Sequence, residues 1–141
     1  MKRRDGQRGF TTVEFALTIP LFFALMFGAI DGGRLVISRY MVSSAAVAAA
    51  RVASVRSTVT LGPITTAANN AAPILTLAGV DVTFNASTTP VANDATFAAS
   101  KPTGAGNTVT VTVRYSYAPL TGSFVGIGAK TLTGVSRVSI E

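Results

Sequence analysis

An uninterrupted apolar run near the N-terminus constrains the fold of this chain more than any other feature. Residues 15–30 contain no ionisable side chain, and Asp31 ends the run. Counted from Phe10, the segment holds a single charge, Glu14, and is about as long as the ~20 residues that a helix needs to cross a bilayer. The sequence therefore predicts a transmembrane helix over residues 10–31.

The apolar run is preceded by a short leader, residues 1–9, with one acidic residue and four basic ones, Lys2, Arg3, Arg4 and Arg8. Positive charge at this end favours a cytoplasmic N-terminus, with the bulk of the chain on the other side of the membrane. A secretory signal peptide also begins with a basic region, but its apolar run is shorter and ends at a small-residue cleavage site. Here the run is long and continues into Asp31-Gly32-Gly33-Arg34, which favours a retained anchor over a cleaved signal peptide.

Composition excludes several functional classes. The chain has 141 residues, the size of one small domain plus an anchor. Because it contains no cysteine and no histidine, thiol chemistry, imidazole catalysis and the commonest zinc sites are excluded, and we expect no metal or other cofactor. The formal net charge of +6 falls to +3 without the leader. Since the remaining cations are scattered and no aromatic residues are interleaved with them, we expect no nucleic-acid partner.

Two features of the apolar segment predict distortion of its helix. Pro20 lacks an N–H group and its ring clashes with the carbonyl of Ala16, which predicts a kink at that point. Gly28, Gly32 and Gly33 reduce side-chain bulk near the outer end, where they could permit either fraying or close approach of another helix. The glycine pair is the expected place for a bend.

Beyond the membrane the helix is expected to continue as an extension, residues 32–61, ending near Ser57. This stretch is rich in alanine and contains no proline before the predicted end. The alanines at positions 45–50 either pack tightly against a partner helix or simply reflect the high helix propensity of alanine. The apolar positions that approximate a helical stripe are Leu35, Ile37, Met41, Val42, Ala45, Ala49, Val52 and Val55.

The remaining residues, 62–141, predict a small α+β domain that leans on the preceding helix or on neighbouring subunits, because so short a segment buries little surface. A short helix is expected from Gly62-Pro63, kinked at Pro73 and ended by Gly79. Alternating apolar and polar residues then predict three antiparallel strands, over residues 80–87, 108–117 and 130–140, each with one wet face. Residues 88–107 read as a polar loop. Leu120, Phe124, Val125 and Ile127 lie on the last loop, where we expect them to cap the sheet rather than form a contact surface.

The N-terminal pattern resembles the type IV prepilin signal, which has a basic leader, a glycine, an apolar first mature residue and a glutamate at mature position five. Gly9, Phe10 and Glu14 occupy those places in this sequence. The continuation through Pro20, with FGAIDGGR around Asp31, is similar to the TadE-like pilus-assembly family more than to an ordinary major pilin. The resemblance is clear over the first third of the chain and applies to the C-terminal strands only in outline.

The resemblance implies a minor pilin or pseudopilin that a prepilin peptidase cleaves between Gly9 and Phe10, with no catalytic function of its own. It also implies that Glu14 pairs with the amino terminus of an adjacent subunit, the position held by Phe10 after cleavage. The implied setting is the bacterial inner membrane, with the C-terminal domain in the periplasm. The implied partners are the peptidase, other minor pilins, the major pilin of the tight-adherence (Flp) pilus, the inner-membrane assembly platform and the lipid bilayer.

Other interpretations stand beside this one. Glu14 could be a first-turn acid that the helix dipole favours and that reaches headgroup water. The whole chain could be an uncleaved single-pass membrane protein whose outer domain binds an envelope partner or ligand. A membrane-anchored enzyme is disfavoured because Asp81, Asp94 and Glu141 form no recognisable catalytic pair, and only a speculative serine–lysine dyad could involve Lys101 or Lys130.

Overall fold

The computed structural model describes residues 6–55, 57–58, 60–104, 106–122 and 126–140, with side chains from residue 11 onward. Its elements are α1 (Gly6–Ser54), α2 (Gly62–Ala71), β1 (Gly79–Phe84), α3 (Asp94–Ser100), β2 (Thr108–Tyr117) and β3 (Lys130–Ser139). The first five leader residues, the Phe10 side chain, Phe124, Val125 and Glu141 lie outside the described part. A long apolar helix, short helices and a three-stranded antiparallel sheet confirm the predicted α+β class.

Helix α1 is a single 49-residue element with Pro20 inside it. At 1.5 Å per residue it is about 74 Å long, so it extends well beyond the thickness of a bilayer, as the sequence predicts. It ends at Ser54, slightly before the predicted Ser57. The kink at Pro20 and the bend at Gly32-Gly33 stay predictions.

The carbonyls that follow the end of α1 are satisfied by a distant lysine. Lys101 Nζ donates hydrogen bonds to the carbonyl oxygens of Val55 and of Thr58, the second at 2.8 Å. A cation is favoured there because the unpaired carbonyls at a helix C-terminus carry partial negative charge. Desolvation lowers the pKa of Lys101, whose Nζ also lies 5.6 Å from the centre of the Phe97 ring. Lys101 therefore binds the carbonyls at the C-terminal end of α1, which is a structural role and not that of a base in a catalytic dyad.

The alanine cluster of α1 is the helix side of the hydrophobic core. Five alanines, at positions 45, 46, 49, 50 and 53, are fully buried where α1 packs on α2, β2 and β3. Tight packing is therefore the right interpretation of the cluster, and its partners are the chain's own sheet and α2. Two positions of the predicted stripe are wrong, because Ile37 and Val55 are about half exposed. The buried face includes Ser38, which the predicted stripe lacks, and Val42, which belongs to it.

The second helix is shorter than predicted. It begins at Gly62-Pro63 as expected but ends at Ala71, and Ala72 leaves the helical region with φ −131° and ψ 60°. The prediction of a kinked helix reaching Gly79 is wrong because Pro73 disfavours the helical conformation of the residue before it. The first strand likewise ends at Phe84, because Asn85 adopts a positive φ of 55°.

A third helix, α3, lies where the sequence predicts only a polar loop. The Asn93 side chain accepts a hydrogen bond from the Thr96 backbone N–H at 2.9 Å, and the Asn93 N–H donates to the Thr96 hydroxyl at 3.1 Å. This reciprocal capping box starts a seven-residue helix. Phe97 on α3 is fully buried against Phe84, with ring centres 5.3 Å apart, so the helix serves to close one end of the core.

The sheet has the order β1-β2-β3, with antiparallel neighbours. Val109, Val111 and Val113 of β2 are fully buried and face α1, whereas the alternating threonines are partly exposed. The expected single wet face is therefore confirmed. Apolar residues of α1, α2, α3 and all three strands form one core, so the C-terminal residues do lean on the preceding helix.

Gly134 marks the closest approach of β3 to α1. A Cβ at this position would lie 2.7 Å from the Val42 carbonyl carbon and 3.0 Å from Ser43 Cα, and would overlap the Val42 carbonyl oxygen. Because these contacts are with backbone atoms of a packed helix, they cannot be relieved by a change of side-chain rotamer. Only glycine fits here without moving the strand.

We expect Gly134→Ala to lower the free energy of unfolding by about 1–3 kcal/mol through overpacking. For a domain of this size that corresponds to a thermal midpoint roughly 4–20 °C lower, measurable by near-ultraviolet circular dichroism of the full chain in mild detergent. Gly128→Ala is the matched control, because nothing lies within 4 Å of a Cβ built there. Equal midpoints for the two variants would contradict the tight packing of β3 on α1.

Candidate functional site

The first half of α1 makes almost no contact with the rest of the described chain. Within residues 11–30 every side chain is exposed except that of Met26, which is partly buried. The helix from Thr11 to Ser54 contains a window with mean hydropathy 2.0, none of which is buried, and by length and composition it could cross a membrane. Exposure of so much apolar surface requires a cover outside this chain, and a bilayer or the helices of other subunits would provide it.

The residues predicted to act in processing and pairing all lie on this uncovered helix. Gly9 and Phe10 fall within the first turns of α1, which begins at Gly6. Glu14 is exposed, its backbone carbonyl accepts a hydrogen bond from the Thr18 hydroxyl at 2.8 Å, and no acidic residue lies in the first turn. Glu14 lies about two turns after the start of α1, and loss of the leader would bring it to within little more than one turn of the helix N-terminus. Pro20 lies between Glu14 and the outer end of the run.

Asp31 has a structural role that the sequence does not predict. In the sequence it is simply the polar residue that ends the apolar run, yet only 8% of its surface is exposed. One carboxylate oxygen accepts the Leu120 N–H at 2.9 Å. The other accepts the Thr121 N–H at 2.9 Å and the Thr121 hydroxyl at 2.6 Å. Three donors from the β2–β3 connection therefore converge on a carboxylate at the end of the apolar run.

Two further residues, Tyr117 and Arg34, complete this junction between α1 and the sheet. The Tyr117 hydroxyl donates to the Asp31 carbonyl oxygen at 2.8 Å, and burial together with the nearby Asp31 charge raises the pKa of Tyr117, which keeps the phenol protonated as a donor. Arg34 lies 3.5 Å from the Asp31 carboxylate and 5.8 Å from the centre of the Tyr117 ring. We call Asp31, Arg34, Tyr117, Leu120 and Thr121 the Asp31 junction.

The junction fixes where the sheet domain sits along α1. Residues 11–30 precede it, and at 1.5 Å per residue they span about 30 Å, the thickness of a hydrocarbon core. Because Asp31 is bonded to the domain, the apolar run ends where the domain begins. No free linker separates the two in the described structure.

We expect Asp31→Asn to loosen the junction, because an amide presents an NH2 donor to groups that are themselves donors. Hydrogen exchange at the Leu120 and Thr121 amides should accelerate by about tenfold or more. Exchange in β1 should be unchanged. Asp94→Asn is the control, since Asp94 is an exposed carboxylate that accepts the Leu61 N–H at 2.7 Å, far from the junction. Unaltered exchange at residues 120 and 121 would contradict the structural importance of Asp31.

Two of the acidic residues considered as catalytic candidates, Asp81 and Asp94, have structural contacts. Asp81 pairs with Arg114 across β1 and β2 at 2.6 Å, and Asp94 holds the Leu61 N–H at the start of α2. Among the described residues, no group of three acidic or other metal-binding side chains is arranged to hold a metal ion.

Comparison with known proteins agrees with the N-terminal pattern. The family model described as TadE-like protein matches residues 9–51, a region that includes the apolar run, the Asp31 end of the junction and four of the five buried alanines. No curated protein and no solved structure matches the chain. The match indicates a role in assembly of a tight-adherence pilus. Over residues 9–51 the chain is therefore similar to the TadE-like family, the family that its N-terminal sequence predicts.

Proposed function

We propose that this chain is a minor pilin or pseudopilin of a tight-adherence (Flp) pilus. In this proposal a prepilin peptidase cleaves it between Gly9 and Phe10, and the mature protein acts in pilus assembly without catalysing a reaction. The observation that carries the proposal is that the TadE-like match begins at residue 9, the residue before the proposed cut. Residues 1–8 lie outside the match, which is compatible with a leader that is removed.

The local structure suggests how the cleavage site would reach a peptidase. In the uncleaved chain Gly9 lies in the first turns of α1, and a bond inside a helix must unwind before an active site can hold it in extended form. Glycine favours this opening because it is about 1 kcal/mol less favourable than alanine within a helix. It also leaves the backbone unobstructed by a side chain. The basic leader would hold this end at the cytoplasmic face.

After cleavage, Phe10 would carry a new positive amino group, and Glu14 would lie just over one helical turn away. Glu14 is the only charge between residue 10 and Asp31, and its own chain supplies no described salt bridge to it. A carboxylate in an apolar environment favours an oppositely charged partner. The proposed partner is the amino terminus of an adjacent subunit, and this pairing would set the axial register between neighbouring helices.

The proposed location is the bacterial inner membrane, with α1 crossing once and the sheet domain in the periplasm. The C-terminal domain is larger than the near-absent one of a major Flp pilin, which is why we propose a minor subunit. Its proposed partners are the prepilin peptidase, other minor pilins, the major pilin and the assembly platform. The alternative is an uncleaved single-pass protein that binds an envelope partner or ligand.

Crosslinking in cells that carry the pilus system tests this function. Membranes would be crosslinked, the protein purified by an affinity tag at its C-terminus, and the attached proteins identified by mass spectrometry. We expect pilins and assembly-platform proteins in the wild type and their depletion in Glu14→Ala. Recovery of envelope proteins unrelated to the pilus, unchanged by Glu14→Ala, would favour the uncleaved alternative.

A further inference from the structure

We propose that the β2–β3 connection docks on the outer surface of the bilayer that α1 crosses, inserting Leu120 and Ile127 at the boundary between headgroups and acyl chains. The surface is formed by residues 118–122 and 126–129, which we call the juxtamembrane loop. The inference rests on the proposed function only in taking α1 to span a membrane. It adds a contact between the sheet domain and the membrane surface to the contact that α1 makes by crossing the bilayer.

The Asp31 junction sets the height of this loop. Asp31 directly follows the apolar residues 11–30, and its carboxylate holds the N–H groups of Leu120 and Thr121 at 2.9 Å each. The loop backbone is therefore within hydrogen-bond distance of the residue that ends the span. If residues 11–30 fill the hydrocarbon core, Leu120 lies at the level of the headgroups.

The direction of the strands turns the loop toward the membrane. Tyr117, at the end of β2, reaches Asp31, whereas Gly134, paired with Val113, approaches Val42 and Ser43 farther along α1. β2 therefore runs antiparallel to α1, and the β2–β3 connection is at the membrane-proximal end of the sheet. Phe84 pairs with Val109 near the start of β2, which places the connection after β1 at the opposite end.

Backbone hydrogen bonds join the two described segments of the loop. The Gly122 N–H donates to the Pro119 carbonyl at 3.2 Å, and the Ile127 N–H donates to the Gly122 carbonyl at 3.0 Å. A Cβ at Gly122 would lie 2.9 Å from the Pro119 ring, so this compact turn requires glycine. Ile127 is thereby held beside the segment that carries Leu120.

The chemistry of the loop fits a lipid interface. Leu120 is 56% exposed and Ile127 is 58% exposed, so the expectation that they cap the sheet is wrong. Transfer of an exposed leucine or isoleucine side chain from water into an apolar medium lowers the free energy. The acyl chains of the bilayer lie at the same height and provide such a medium. The nearby cations Arg34 and Lys130 suit lipid phosphates.

Site-directed spin labelling of the full chain in phospholipid vesicles tests the proposal, and the absence of native cysteine makes each introduced cysteine unique. Leu120→Cys and Ile127→Cys are the test positions. Ala86→Cys, exposed at the opposite end of the sheet, is the water reference. Leu25→Cys, within the apolar run, is the bilayer reference. The measured quantity is the ratio of label accessibility to oxygen, which enters lipid, and to a nickel chelate, which stays in water.

We expect the accessibility ratio at positions 120 and 127 to be severalfold higher than at 86 and lower than at 25. A high ratio at 25 with water-like ratios at 120 and 127 would overturn the docking while leaving the membrane span intact. A water-like ratio at 25 would overturn the span itself and, with it, the proposed function. Labels at 120 and 127 that are shielded from both reagents would indicate a protein partner on the loop and would also overturn the proposal.

Discussion

Replacing Glu14 by alanine is expected to abolish most incorporation of this protein into pilus assemblies while leaving membrane insertion intact. Insertion should persist because removal of the only charge makes the residues between Phe10 and Asp31 more apolar. Assembly should fail because the amino terminus of a neighbouring subunit loses its proposed counter-charge in a medium of low dielectric constant. We expect co-purification of partner pilins to fall by about tenfold or more.

Glu14→Asp is the matched control for this prediction. It keeps the negative charge but shortens its reach by one methylene, so a partial defect is expected. The fraction of protein resistant to carbonate extraction, the number of pili and the yield of partner pilins would be compared across the three forms. Normal piliation and normal yields in Glu14→Ala would mean that Glu14 is a tolerated acid near the headgroups, and the pairing mechanism would be wrong.

Replacing Gly9 by valine is expected to block processing almost completely. The β-branched side chain would obstruct the backbone next to the proposed scissile bond. Full-length protein with residues 1–9 attached should accumulate in the membrane, detected as a mass increase equal to that leader. The folded sheet domain should be unaffected, because Gly9 lies more than twenty residues before Asp31, where α1 is hydrogen-bonded to that domain.

Gly6→Val is the control for Gly9→Val. Gly6 is also a glycine at the start of α1, but it lies three residues before Gly9 and away from the proposed cut. Processing of Gly6→Val at a rate close to wild type would assign the block specifically to Gly9. If Gly9→Val were processed as efficiently as wild type, the cleavage site would have to lie elsewhere or be absent.

The elements with strong periodicity were predictable. The apolar run and the alternating valines of β2 each identify their structure from local pattern, and β2 was predicted with the bounds that the structure has. Helix α3 was missed because its signal is a single capping box formed by Asn93 and Thr96 around a very short helix. Helix α2 ends earlier than predicted because Pro73 disfavours the helical conformation of Ala72.

The Asp31 junction could not have been found from sequence pattern. Its members are separated by about ninety residues along the chain, and two of its donors are backbone N–H groups, which every non-proline residue has. A carboxylate at the end of an apolar run is equally compatible with solvent exposure. Only the packing of β2 and β3 on α1, with Gly134 allowing the strand to approach, brings the loop to Asp31.

The most direct test of the central claim is the intact mass of the wild-type protein extracted from membranes of cells with an active prepilin peptidase. A polypeptide that begins at Phe10 and lacks residues 1–9 is the predicted result. Retention of those nine residues on the bulk of the protein would contradict processing as a pilin and would favour the uncleaved single-pass alternative.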